Sequence, residues 1–83
     1  MKFKVGDVVT VKDWEEMEKE FGVVGKNINC PGTFSHYMKP LCGKSGVVVK
    51  CNEDVGCYSL RPMSLKALRL DWQWDFTDAM LKE

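Results

Sequence analysis

Five side chains in this sequence have the chemistry to hold a metal ion or to act as nucleophile and base: Cys30, His36, Cys42, Cys51 and Cys57. Thiolates and imidazole nitrogens are preferred ligands of Zn²⁺. However, eleven, eight and five residues separate the successive cysteines, so the sequence has no C-x-x-C pair. Structural zinc sites usually take paired ligands from one short turn. The pattern therefore favours reduced, buried thiols, and we predict no metal and no cofactor.

Catalysis by a thiol needs a base positioned beside a thiolate. His36, the only histidine, lies six residues after Cys30 and six before Cys42, but no third residue that would orient it can be named. Glu53 and Asp54 form an adjacent acidic pair, yet solvated acids are typical of the hairpin tip predicted there. Neither GKNINCPG nor CGKSG has the spacing of a phosphate-binding loop. We therefore predict a protein that is not an enzyme.

The charges are balanced overall but unevenly distributed. Twelve Lys and Arg offset twelve Asp and Glu, which argues against a protein that binds DNA or RNA mainly through phosphates. Residues 26–70 nevertheless contain seven basic and two acidic side chains, whereas residues 1–25 and 71–83 are both net acidic. Charges of both signs usually intersperse on a folded surface, so ion pairs between the ends and the middle are the favoured interpretation. A local anion site in the middle is the alternative.

An anion site in the middle section would take its cations from several elements. Lys44, Arg61 and Arg69 are the candidates for binding a phosphate, and Tyr37 or Tyr58 for stacking on a base. Cations beside an aromatic wall suit a nucleotide, through ion pairing and stacking. These five residues form the predicted ligand site, and a small anionic nucleotide is the ligand that they indicate.

A strand and a helix come first among the elements that would position these residues. The stretch FKVGDVVTVK has large apolar residues on one parity, which predicts a strand; they are Phe3, Val5, Val9 and Val11. The spacing then predicts a helix over 13–21, with Asp13 as its N-cap and Gly22 just after its end.

The following section has no long periodic element but contains a brief helical signal. Four apolar residues recur at helical spacing, and Thr33 is placed to cap the turn; they are Phe34, Met38, Leu41 and Cys42. Next, GVVVKC and CYSLR flank NEDVG, which predicts a hairpin with Cys51 and Cys57 close across its loop. A thiol enzyme or redox sensor based on these two cysteines is the least favoured function.

The stretch LRLDWQWDF contains two of the three tryptophans. Large apolar side chains at every second position, from Leu68 to Phe76, predict a strand with Trp72 and Trp74 in the core. After it, TDAML allows one helical turn capped by Thr77 or Asp78 that returns two apolar residues to the core; they are Met80 and Leu81.

Composition limits the chain to one small domain. With 45% hydrophobic and 29% charged residues, it has an ordinary globular composition, and large aromatic side chains must supply much of the core of so small a domain. No apolar stretch is long enough to cross a bilayer, and the N-terminus lacks the apolar region of a signal peptide. We therefore expect a cytoplasmic protein without a membrane partner.

Three segments resemble short SH3-like proteins encoded by bacteriophages and prophages: FKVGDVVTVK, LCGKSGVVVKCNEDVGCYSL and DWQWDFTDAML. They are also similar to the Mind-bomb type of SH3 repeat, with its GxxGxVV-like strand and closing aromatic strand. The resemblance implies a mostly-β, small SH3-like β-barrel over residues 1–83, with a helical and loop insertion at 13–42 after the first strand. That insertion departs from a plain SH3 pattern, so we do not expect a peptide groove of the usual kind.

The resemblance also implies a class of function. Small phage proteins of this appearance often look like host-directed or counter-defence factors, so a non-enzymatic protein that sequesters a host protein or a nucleotide signal in the host cytoplasm is expected. The alternative is a protein–protein interaction module or a homo-oligomer building block. In that case the acidic side of the first helix would contact the partner, with Glu16 and Glu20 as the candidate residues.

Overall fold

A four-stranded antiparallel sheet organises the structure, which is a computed structural model describing all 83 residues, Met1–Glu83. Its strands are β1 (Val8–Val11), β4 (Ser45–Asn52), β5 (Cys57–Pro62) and β6 (Leu81–Lys82). They lie in the order β5-β4-β1-β6. A second, two-stranded antiparallel sheet consists of β2 (Val23–Val24) and β3 (Asn27–Ile28). The mostly-β class with antiparallel pairing agrees with the sequence prediction.

The predicted helix is present as α1 (Trp14–Phe21). Asp13 has the extended backbone of an N-cap, and Gly22 ends the helix at φ 78°, a conformation that costs glycine little. Met17 is fully buried, and Trp14 and Phe21 pack against the core beside it. This agrees with the prediction that one apolar stripe of the helix faces inward.

The remainder of the insertion contributes to the core as well. A 3₁₀ helix (His36–Leu41) follows β3, and its N-cap is Ser35, whose hydroxyl accepts a hydrogen bond from the Tyr37 N–H. The predicted N-cap, Thr33, lies two residues before the observed one, so that prediction is wrong. The backbone of Thr33 is instead in the left-handed region, at φ 53°. Six of the 17 residues in the hydrophobic core come from this insertion, namely Met17, Ile28, Cys30, Phe34, Met38 and Leu41.

The predicted hairpin is present, and a bulge inside it changes which residues face inward. Val48 pairs with Leu60 and Lys50 with Ser59, so Val49 has no partner. Beyond the bulge the parity of β4 is reversed, so Cys51 lies on the inward side, opposite the buried Tyr58, and packs against the core.

The hairpin register separates the two cysteine side chains near its loop. Cys51 pairs with Tyr58, and Cys57 pairs with Asn52. Because successive residues of a strand point to opposite faces, the two thiols lie on opposite faces of the hairpin, and all four cysteines of the chain are free. Cys51 and Cys57 are therefore one position apart in the register of the hairpin, but their thiols do not face each other across the loop.

The segment Leu68–Phe76 is not a strand, which corrects the prediction. It begins in a 3₁₀ helix (Ala67–Arg69), and only Phe76 pairs with the sheet, exchanging two backbone hydrogen bonds with Tyr58. Burial still alternates along the extended part from Leu70 onward. The side chains of Trp72 and Phe76 are buried and Trp74 is half-buried, whereas Leu68 is exposed. The tryptophans therefore serve the core, as predicted, without a ladder of strand hydrogen bonds.

The chain crosses from one edge of the sheet to the other through a very short connection. Phe76 lies beside β5, Leu81 lies beside β1, and the predicted terminal turn (Asp78–Met80) joins them, with Met80 and Leu81 fully buried. In a flat sheet these positions would be about 19 Å apart, but a 3₁₀ turn of this length spans only about 10 Å. The sheet is therefore curled. Because β6 pairs with β1 alone, the curled sheet stays open between β6 and Phe76.

Gly46 allows Trp72 to pack closely against the hairpin. A Cβ at this position would lie 2.9 Å from the Arg61 carbonyl oxygen and 3.3 Å from the Trp72 ring. Because the nearest atom is backbone, we expect Gly46→Ala to lower the free energy of unfolding by about 1–2 kcal/mol, measured by urea denaturation. The control Val49→Ala, at the exposed bulge, should cost less, and an equal loss for both variants would contradict the packing argument.

Candidate docking surface

Three of the four thiols lie in surroundings that disfavour the reactive thiolate. Burial raises the pKa of Cys30, and burial followed by the charge of Asp13 raises the pKa of Cys42. Desolvation and the nearby Asp75 carboxylate raise the pKa of Cys57. Since the thiolate is both the nucleophile and the metal ligand, these positions are poorly suited to either role.

His36 has a structural partner. Its Nδ1 lies 3.0 Å from Asn27 Oδ1, which also accepts a hydrogen bond of 2.9 Å from the His36 backbone N–H. These contacts tie the 3₁₀ helix to β3. No group of three or more His, Cys, Asp or Glu side chains is arranged to hold a metal ion.

The five predicted ligand residues do not converge. Tyr58 is only 1% exposed, and its hydroxyl lies inside the protein, accepting a hydrogen bond from the Phe3 N–H at 2.9 Å and donating one to Asp78 Oδ1 at 2.5 Å. Its assignment as a base-stacking residue is therefore wrong. Tyr37 is 73% exposed, but it lies on the 3₁₀ helix of the insertion with its ring 4.1 Å from that of His36.

The structure has two ion pairs, and neither joins an acidic end of the chain to the basic middle section, residues 26–70. Lys12 Nζ lies 3.2 Å from Glu20 Oε2, and Lys82 Nζ lies 2.9 Å from Glu16 Oε1. The favoured expectation of ion pairs between the ends and the middle is therefore wrong. Glu16 and Glu20, predicted to contact a partner, are held by lysines of the same chain, and the hydrogen bond from Lys82 lowers the pKa of Glu16.

Three predicted cation positions lie at one end of the hairpin. Arg61 is near the end of β5, Lys44 directly precedes β4, and Arg69 ends the 3₁₀ helix that follows. All three are exposed. We call Arg61–Arg69 the cationic loop. The Met63 N–H donates to the Ser45 carbonyl at 3.1 Å, which fixes the start of this loop beside the residue that follows Lys44.

The cationic loop is anchored at its middle. Ala67 is buried, and its carbonyl accepts a hydrogen bond of 2.8 Å from the Trp72 indole N–H. Its own N–H donates to the Ser64 hydroxyl at 3.2 Å. The backbone of the loop is therefore held against the core while most of its side chains remain outside.

Cationic and apolar side chains alternate on the outside of this loop. Leu65 is 84% exposed, Leu68 is 59% exposed, and Met63 is also exposed. Leu65, Lys66 and Arg69 line an open pocket of about 390 Å³. Sequence reasoning missed these apolar residues as surface features, although the mixed pattern of RPMSLKALR was a signal for them.

The loop is continuous with the solvent-facing side of the sheet. Val8 pairs with Val47 and Val47 with Arg61, which forms one row across three strands. Thr10 pairs with Ser45 in the next row, where their two hydroxyl oxygens lie 3.0 Å apart. Met63 continues this row, because its N–H donates to the Ser45 carbonyl. We call these six residues the outer face: Val8, Thr10, Ser45, Val47, Arg61 and Met63. Val8 and Met63 are exposed apolar side chains on it.

A larger groove, of about 490 Å³, lies elsewhere, between the loop at Pro31, the hairpin end at Val55 and the turn at Asp78. None of the predicted ligand residues lines it.

No helix in the structure is both long and apolar enough to span a bilayer. Comparison of the chain with known protein families, with curated proteins and with solved structures finds no match.

Proposed function

We propose that this chain is a non-enzymatic binding protein built on an SH3-like fold. The element order supports this fold: a strand, a helical insertion, a hairpin, an extended segment beside β5, a tight turn and a terminal strand. The resemblance to phage-type SH3-like proteins rests on three sequence segments, which contain β1, most of the hairpin and the terminal turn. The curled sheet, whose two edges are joined by the turn Asp78–Met80, is also what an open SH3-like barrel requires.

We propose that the partner is an anionic molecule of the host cell. A host partner is in keeping with the resemblance to phage-type proteins. One observation carries this proposal: the seven Lys and Arg side chains of residues 26–70 have no carboxylate partner in the chain. Unpaired charge of one sign attracts a partner of the opposite sign and guides its approach.

An acidic protein surface fits these cations better than a nucleotide does. A nucleotide site gains much of its affinity from a ring that stacks on the base. Tyr58 is in the core, and Tyr37 lies on the insertion and not on the cationic loop. We therefore infer that the anionic partner is a protein.

The proposal is tested with Lys66→Glu/Arg69→Glu and a control of equal charge change, Lys2→Glu/Lys19→Glu, whose two exposed lysines lie outside residues 26–70. The probes are a fluorescent polyglutamate peptide and a panel of cyclic and linear nucleotides. We expect the peptide to bind the parent protein at low salt. The Lys66→Glu/Arg69→Glu variant should lower the affinity for the peptide about tenfold or more, or by about 1.4 kcal/mol. The control variant should change this affinity little. Fluorescence anisotropy measures the affinities.

Two outcomes would overturn this proposal. If neither the peptide nor any nucleotide binds or raises the melting temperature at high concentration, the cations of residues 26–70 do not form a binding surface. If a nucleotide binds tightly and the loop variant removes that binding, the partner is a small molecule and the inference of a protein partner fails.

A further inference from the structure

The cationic loop contains more apolar surface than binding to charge alone requires. Met63, Leu65 and Leu68 are all exposed, and cations lie between and beside them in the chain. Grouped exposed apolar side chains, bordered by charges, typically mark an interaction site. Polyanions that bind by charge alone would leave these three side chains in water.

The backbone of the loop is preorganised for binding. The Trp72 indole N–H holds the Ala67 carbonyl, and the Met63 N–H holds the loop to β4. A loop that is already fixed loses little further conformational entropy when a partner docks. The exposed side chains of Leu65 and Leu68 are therefore presented from a defined backbone.

The shape of the loop distinguishes between possible partners. The pocket of about 390 Å³ has one apolar wall, Leu65, and two cationic walls, Lys66 and Arg69. It suits a side chain with an apolar stem and an anionic end, such as Glu, whose carboxylate Arg69 is able to bind with two parallel hydrogen bonds. A flat lipid surface would not fill such a concave pocket, so the shape favours a protein over an anionic membrane.

The outer face supplies the additional area that a protein partner needs. A stable interface buries about 800 Å² on each side, which is more than a short loop offers. Arg61 and Met63 belong both to the loop and to the outer face, and Val8 and Val47 extend the apolar contact across three strands. Apolar side chains and cations are interspersed on the combined surface, where Arg61 pairs with Val47, and arginine is enriched in protein interfaces.

We propose that the outer face and the cationic loop together bind an acidic, amphipathic protein segment. Its apolar side chains pack against Val8, Met63, Leu65 and Leu68, and one of its carboxylates enters the pocket at Lys66 and Arg69. This inference rests on the proposed function and adds to it the requirement for apolar residues in the partner.

The test compares two pools of short peptides with equal charge. One pool alternates Glu with Leu, Ile or Phe, and the other has Ser at those apolar positions. The protein variants are Leu65→Ser/Leu68→Ser and the control Val24→Ser/Val55→Ser, whose two side chains are each 65% exposed and lie outside the docking surface. Because all four side chains are solvent-exposed, both variants should keep the melting temperature of the parent.

We expect the apolar pool to bind about tenfold more tightly than the Ser pool. The Leu65→Ser/Leu68→Ser variant should remove this preference, and the control should retain it. If both pools bind equally while Lys66→Glu/Arg69→Glu still weakens them, the anionic partner stands and the amphipathic segment is wrong. If neither pool binds, the proposed function itself fails. If only vesicles of phosphatidylcholine and phosphatidylserine bind, and the leucine variant abolishes this, the surface contacts a membrane instead.

Discussion

Replacing Phe34 with Ala is expected to lower the free energy of unfolding by about 3–5 kcal/mol, as deletion of a fully buried aromatic ring does. Phe34 has no exposed surface; its backbone pairs with Ile28, and its ring centroid lies 6.1 Å from that of Trp14. A domain of this size has a total stability of about 4–12 kcal/mol. Urea denaturation followed by tryptophan fluorescence should therefore show a protein close to unfolding.

A matched control for this variant is Tyr37→Ala, which removes an exposed aromatic ring from the same insertion. We expect it to change stability by less than about 0.5 kcal/mol. If Phe34→Ala were equally mild, residues 13–42 would be an appendage that folds beside the sheet. The structure instead makes the insertion part of a single core.

Replacing Tyr58 with Phe is the second substitution expected to have a large effect. Its hydroxyl satisfies the Phe3 backbone N–H and donates to Asp78. Phenylalanine keeps the ring but leaves that N–H without its partner and the carboxylate without its donor. Because an unsatisfied buried group and a lost charged hydrogen bond both cost free energy, we expect a loss of about 2–4 kcal/mol, measured by urea denaturation.

The effect of this substitution should depend on pH. Burial, and then the hydrogen bond with Asp78, raise the pKa of Tyr58. A group whose pKa is higher in the folded state contributes stability that is complete below its unfolded pKa of about 10 and is lost as pH rises through the folded value. The stability difference between the parent and Tyr58→Phe should therefore be constant near neutral pH and shrink above about pH 10. A stability difference that is independent of pH would refute the assigned hydrogen bonds.

The elements with strong local signals could be predicted from the sequence. Helix α1 was predictable because its apolar stripe, its N-cap Asp13 and its terminal Gly22 all agree. The β4–β5 hairpin was predictable because its turn residues lie between two apolar runs. The final 3₁₀ turn was likewise predictable from its N-cap, Thr77, and from the apolar pair Met80 and Leu81.

The errors arose where tertiary context decided the outcome. Alternation in LRLDWQWDF correctly indicated which side chains are buried from Leu70 onward, but alternation does not require a hydrogen-bonding partner. Here the Asp71 carboxylate accepts the Gln73 N–H, a local bond that a regular strand would not make. The assignment of Tyr58 to a ligand overlooked that Tyr58 shares the parity of the buried Leu60 in CYSLR. The inward position of Cys51, by contrast, depends on the bulge at Val49, and a bulge leaves no clear mark in a run of valines.

The docking surface was predictable only in part. Counting charges correctly located an excess of cations in residues 26–70, yet it could not show that Glu16 and Glu20 pair with Lys82 and Lys12. Nor does composition reveal that leucines within a basic stretch are exposed, because leucine is usually buried. Leu65 and Leu68 are exposed while Ala67 between them is buried and accepts a hydrogen bond from the Trp72 indole N–H, a tertiary contact that composition does not show.

The connection that brings Leu81 back to Val11 also bears on how quickly the protein folds. The two residues are neighbours in the sheet but belong to opposite ends of the sequence, so they meet only after a very long loop has closed. Domains dominated by such distant pairings typically fold in milliseconds to seconds, whereas helical bundles fold in microseconds to milliseconds. The turn that joins the two sheet edges therefore places this small protein among the slower-folding domains.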